Sequence, residues 1–244
     1  MLSTSIAPLF LRAALAIVFV WAGLGKFVTD FPVTAETAPR LAEWGVIALP
    51  AAPPPAEVRP DATAPNGQAP PPLMVLQVQP TETRSVRRLY AIALLVHSAA
   101  YPRPRDDGST PMALLPAELG KGPWPVRLAW AAALTELIAG GLVLLGLLTR
   151  LSAFSLAIVM LTAMWLTQLG PAMQSGHTVA FILPAHPAFD GEKWKDLLFQ
   201  FSLFCAGMAL ACAGSGTLAF DRALFRAPAP RKPAPPEPSS PRPL

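Results

Sequence analysis

Glu136 has the most chemistry open to it, because it stands near the middle of an apolar run at residues 126–148. An ionisable group at that depth in a bilayer costs at least a few kcal/mol, so it implies either a function or a partner. On a helix, Ala129, Ala132, Ala133 and Gly140 fall on or beside its face. Small residues let a neighbouring helix approach closely, which turns the carboxyl into the bundle. Two readings stay open. Glu136 either carries a proton or binds a quinone-like head group, or it makes a buried polar contact, protonated or paired, that fixes helix packing. The cations that could meet it are Arg12 and Lys26. They are separated by nearly four turns, about 21 Å along one side of the first apolar run, with Glu136 expected at a depth between them. Each can lean towards the carboxyl or snorkel to its own interface, and snorkelling is the simpler expectation.

The other candidates are weaker. Gln168, near the end of the third apolar run, can cap a helix or hydrogen-bond across the bundle. Trp165 lies close by, and with Glu136 these two are the candidate contacts for a cofactor head group. Trp124, Trp130, Trp165 and Trp194 mostly flank apolar runs, which is where an aromatic belt places them. His97, His177 and His186 have unrelated spacings and no third ligand in register, so no metal site is expected. Cys205 and Cys212 are about 10.5 Å apart along a helix, too far to pair, and read as two small buried hydrophobes. Haem-attachment, Rossmann and phosphate-loop motifs do not occur, and no cofactor is evident beyond the quinone option.

The elements that must position these residues are apolar helices. The chain of 244 residues is 52% hydrophobic and 14% charged, against about 25% charged in an average soluble domain. Its net charge of +4 comes from scattered arginines and few acids, without the basic stripe that nucleic-acid binding requires. Four runs are long enough to cross a bilayer core of about 30 Å, at residues 7–28, 126–148, 151–170 and 194–213. The first is too long for a signal-peptide core, contains Arg12, and is followed by no clear cleavage site. The second and third are joined so tightly that they must form an antiparallel hairpin. The expected fold is therefore all-α: a membrane bundle of four transmembrane helices, with the lipid bilayer as its first partner.

Thirty prolines lie mostly outside these runs and mark the segments that do not span. Residues 29–125 form a long Pro-rich external insert after the first helix. Residues 73–80 read as a short strand, and residues 85–101 as an interfacial helix behind Arg84, Arg87 and Arg88, with a fifth span as the competing reading. Residues 171–193 make an external loop with an apolar patch suited to the interface, and residues 226–244 a disordered tail. Arg150, in the hairpin, reads first as a topology determinant. With Arg222, Arg226, Arg231 and Lys232 it falls on one face, which the positive-inside rule makes cytoplasmic. Four spans then put both termini in the cytoplasm.

The runs also carry a family resemblance. LRAALAIVFVWAGLGKF resembles the opening of DoxX-family proteins. ELIAGGLVLLGLLTRLSAFSLAIVML resembles the family's strongest block, with an acid, two glycines, a further glycine and a Thr-Arg hairpin. GSGTLAFD resembles its glycine-rich ending with a terminal aspartate. The positions that match are Arg12, Gly23, Lys26, Glu136, Gly140, Gly141, Gly146, Arg150 and Asp221. The resemblance covers the four spans, about half of the chain; the Pro-rich insert and the loop before the fourth span depart from it. It implies a four-helix protein of the bacterial inner membrane. The family is named for a subunit of a sulfur-oxidising, quinone-reducing complex, so it also implies a membrane subunit that anchors a redox partner protein. A quinone-reactive subunit using Glu136 with Lys26 or Arg12 is the alternative, and a small-solute permease a weaker one.

Overall fold

The computed structural model describes residues 3–48, 84–214, 216 and 220. Helix α1 (Ser3–Val28) leads into strand β1 (Asp30–Pro32) and the short helix α2 (Ala38–Glu43). Strand β2 (Ser85–Arg87) then pairs antiparallel with β1, Phe31 opposite Val86, and is followed by α3 (Leu89–Ala100). A short 3-10 turn, Ala117–Gly120, precedes α4 (Trp124–Leu145). Helix α5 (Thr149–Met164) continues through a π-helical turn, Trp165–Leu169, into α6 (Gly170–Ser175). A small hairpin of β3 (Thr178–Val179) and β4 (Leu183–Pro184) leads to α7 (Gly191–Ala213).

Among the described residues, four helical stretches are long and apolar enough to cross a membrane: Ala7–Val28, Trp124–Leu145, Thr149–Ser175 and Gly191–Ala213. Their large outward side chains, Phe10, Ile17, Trp21, Ile138, Leu151 and Phe199 among them, are exposed, as a lipid-facing surface requires. The inward faces meet in one cluster. Leu15 and Phe19 of α1, Ala139 and Val143 of α4, Ala153 and Leu156 of α5 and Leu210 of α7 pack together there. The closest helix pairs are α1 on α4 and α5 on α7. A second cluster, Leu89 and Ala93 of α3 with Ala129 and Ala133 of α4, packs α3 against the first half of α4.

The boundaries differ from the sequence expectation in ways that local chemistry explains. Helix α4 starts two residues early because Pro125 sits in its first turn, where a missing N–H costs nothing. It stops at Leu145 because Gly146 turns left-handed, at φ 71°. The Gly146 N–H then bonds Val143 O at 3.1 Å and the Leu147 N–H bonds Leu142 O at 2.9 Å. That pattern closes a helix with a glycine just past its end. The third span runs on to Ser175, into residues expected to be loop. Pro171 would clash with the carbonyl four residues back in a regular helix. The π-helical turn immediately before it, with the Gly170 N–H bonded to Trp165 O, opens the ladder there. Helix α7 begins at Gly191, capped by the Asp190 side chain, which accepts from the Lys193 N–H.

Residues 85–101 are not one helix. Ser85–Arg87 are strand, and α3 has 12 residues, about 18 Å, packed on α4. The expected strand at 73–80, the Pro/Ala stretch around it and the tail at 226–244 lie outside the described residues. Cys205 and Cys212 are exposed on α7, not buried as expected. A seven-residue spacing keeps both on one helix face, and here that face is the outward one.

Two neighbouring glycines test the packing of α1 on α4. A Cβ on Gly140 would lie 3.1 Å from Val20 Cγ2 and 3.2 Å from Phe19 Cβ, whereas one on Gly141 would meet nothing within 4 Å. Gly140→Val is expected to lower stability by about 1–3 kcal/mol, and Gly141→Ala to leave it nearly unchanged. Thermal unfolding in detergent reads both, and equal effects would contradict the packing described.

Candidate functional site

Helices α1 and α4 run antiparallel and in close contact. Phe27 stacks obliquely on Trp130 with ring centroids 5.4 Å apart, the Cβ position of Gly23 lies 3.1 Å from Leu137 N, and Val20 meets Gly140. Side chains on a helix tilt towards its N-terminus. In an antiparallel pair, a residue near the end of α1 therefore leans inwards, while one on α4 leans to meet it. Lys26 and Glu136 stand in that relation. The Lys26 Nζ donates to Glu136 Oε2, forming an ion pair in the α1–α4 seam. The Glu136 side chain is 6% exposed and that of Lys26 18% exposed, so the acid is sealed and the ammonium reaches it from the rim. The pair sits between the two apolar clusters, with Ala133 on one side and Ala139 on the other.

Arg12 does something else. Its guanidinium is buried, 3% exposed, and donates from Nε to Val143 O at 2.9 Å and from Nη2 to Leu144 O at 2.8 Å. These carbonyls belong to the last turn of α4, which carries the negative end of the helix dipole; Val143 O also accepts from the Gly146 N–H of the helix cap. Both cations of α1 thus engage α4, one at a carboxylate and one at a helix end about two turns away. Snorkelling to opposite interfaces, the simpler expectation, is not what the structure shows. Lys26 turns in because the small residues around Glu136 bring the two helices within reach.

The remaining sequence candidates lie elsewhere. The Trp165 indole N–H donates to Leu114 O at 3.0 Å, and its ring packs against the cluster of Ala99, Leu114 and Leu166. Gln168 is half-buried in the same π-helical turn. Arg150 is exposed at the start of α5, and a Cβ on Gly214 at the end of α7 would lie 3.0 Å from its Nε. Arg150 therefore crosses from the α4–α5 hairpin to the end of the fourth span. Gly23 and Gly140 hold the close approach beside the ion pair, Gly146 ends α4, and Gly141 faces open space. Asp221 lies outside the described residues.

Among the described residues no cluster of His, Cys, Asp or Glu could hold a metal. His97 bonds Gly120 O through Nδ1 at 2.9 Å, His177 bonds Ser175 O at 3.0 Å, and His186 stands edge-on to Trp194. The sequence reading missed one polar contact. Gln200 of α7 donates to Thr167 Oγ1 at 3.3 Å, joining the third and fourth spans. A lone glutamine in an apolar run was the available signal.

These features define a bundle of four helices long and apolar enough to cross a membrane, with the Lys26–Glu136 pair set between the first two. The DoxX family model matches residues 107–169, which hold α4, the hairpin and most of the third span. Together with the four apolar helices, the match supports a DoxX-family membrane protein. Glu136, Gly140, Gly141, Gly146 and Arg150 fall within the matched stretch, and Arg12 and Lys26 outside it. No curated protein and no solved structure matches the chain.

The two cations are expected to separate on mutation. Lys26→Met leaves a buried carboxylate without its partner and is expected to cost about 3–5 kcal/mol. Arg12→Lys keeps the charge but loses the forked contact to two carbonyls, at a cost of about 1.5–3 kcal/mol. Chemical unfolding in mixed micelles reads both losses, and wild-type stability in Lys26→Met would contradict the pairing.

Proposed function

We propose that this chain is a subunit of the bacterial inner membrane that anchors or supports a quinone-linked redox complex. The observation that carries the reading is the commitment of both α1 cations to α4, Lys26 at Glu136 and Arg12 at the last-turn carbonyls. A site for an anionic quinone species needs a cation it can recruit, and here each candidate is already engaged. What the bundle offers instead is a packed scaffold with a folded layer of β1, β2, α2 and α3 built on the start of α4. That layer is the surface through which a redox partner protein docks. The inward end of the bundle collects Arg12, Arg150 and the close of α7, and both termini lie on that cytoplasmic side.

A second reading has one observation in its favour. Lys26 keeps partial exposure at the pair, so a quinone head group arriving from the lipid has a route to the ammonium and, through it, to Glu136. In that case Glu136 exchanges the proton and Lys26 stabilises the anionic form.

Quinone titration of the purified chain in nanodiscs separates the two. The anchor reading expects no saturable binding in wild type or in Glu136→Gln. Saturable binding that Glu136→Gln abolishes would replace it with the quinone-reactive one. A reporter fused behind Leu244 is expected to be active on the cytoplasmic side, and activity outside would overturn the topology.

A further inference from the structure

Two phenylalanines outside the bundle are the most exposed large apolar side chains among the described residues: Phe181 at 90% and Phe189 at 102%. Both belong to the segment between the third and fourth spans. Strands β3 and β4 pair with Val179 opposite Leu183, which leaves residues 180–182 as the hairpin tip. Ala180 and Phe181 are left-handed there, at φ 50° and 70°, and Phe189 is left-handed at 66°. Bulky residues rarely adopt that conformation. The segment thus holds aromatic rings outwards at the expense of backbone comfort, an arrangement with no driving force in water.

The depth of the hairpin identifies its solvent. Leu166 is about 26 Å along the helix from Thr149, near the far edge of a hydrocarbon core of about 30 Å. Strand β4 packs back onto the turn Trp165–Leu169 and onto α6, with Pro184 buried, so the hairpin lies beside the outer end of the span. On its other side the Trp194 indole N–H donates to Pro187 O at 3.0 Å, tying the segment to the first turn of α7. Leu198, Phe199 and Phe201, within two turns of Trp194 on α7, are exposed apolar side chains as well. We propose that residues 177–189 form a membrane-interface anchor, with Val179, Phe181, Ile182, Leu183 and Phe189 seated at the boundary between lipid headgroups and acyl chains. The amphipathic interface is the environment that rewards aromatic rings presented in this way. The anchor fixes the outer ends of the third and fourth spans at a set depth, independently of the ion pair in the α1–α4 seam.

The test is spin-label depth measurement on the full chain in vesicles of phosphatidylethanolamine and phosphatidylglycerol. Cys205→Ala and Cys212→Ala provide the background, and labels are placed by Phe181→Cys, Phe189→Cys and, as a water-exposed control, Ser109→Cys. The expected result is ready collision with oxygen and several-fold less collision with a water-soluble nickel chelate than at Ser109, at both hairpin positions. Chelate access equal to the control would overturn the proposal. So would an immobilised label shielded from both reagents, which would mean that another protein or a second copy covers the tip. The two positions are independent, so a folding failure of Phe181→Cys leaves Phe189→Cys to decide.

Discussion

A carboxylate and an ammonium cannot each be left alone in hydrocarbon, and the pairing of Lys26 with Glu136 is the constraint around which the first two spans are arranged. The pair requires α1 and α4 to be antiparallel and in register, since only then do their side chains lean towards each other. It also requires close approach, because a lysine stem reaches only a few ångströms. Gly23 against Leu137 and Gly140 against Phe19 and Val20 supply it, one glycine from each helix. The small residues and the charges are therefore parts of one device. Apolar packing between membrane helices has no hydrophobic drive over lipid contact, so polar contacts and tight backbone approach carry more of the specificity.

The opposite end of the seam is closed by a different use of charge. Arg12 is buried against the final carbonyls of α4, adding donors to Val143 O and Leu144 O at the negative end of the helix dipole. The turn at Gly146 and the reach of Arg150 to Gly214 complete that end. The first span thereby grips the second at two depths, and the third and fourth spans pack on the result through Ala153, Leu156 and Leu210. Arg12, Lys26 and Glu136, the buried and half-buried ionisable side chains of the first two spans, are thus each engaged within the bundle.

Much of this was legible in the residues. The four apolar runs marked the helices, because length and hydropathy alone decide what can cross a bilayer. Glu136 identified itself by its depth, and the small residues around it showed that its face is a helix contact. Which cation would meet it was not legible. Arg12 and Lys26 share a side of α1, and the choice depends on the register of α1 on α4, a tertiary property. The extension of the third span past Pro171 was hidden for a similar reason, since proline reads as a stop unless a wider turn precedes it. The outward placement of Cys205 and Cys212 depends on which face of α7 meets α5. In the apolar stretch after Gln200 no periodicity declares that face.

The central claim is that Lys26 and Glu136 stabilise each other and do not merely occupy the same seam. A double-mutant cycle measures this most directly, comparing unfolding in detergent for wild type, Lys26→Met, Glu136→Gln and the double variant. The account predicts strong non-additivity, with the double variant more stable than the sum of the single losses by about 2 kcal/mol or more. Losses that simply add would contradict it.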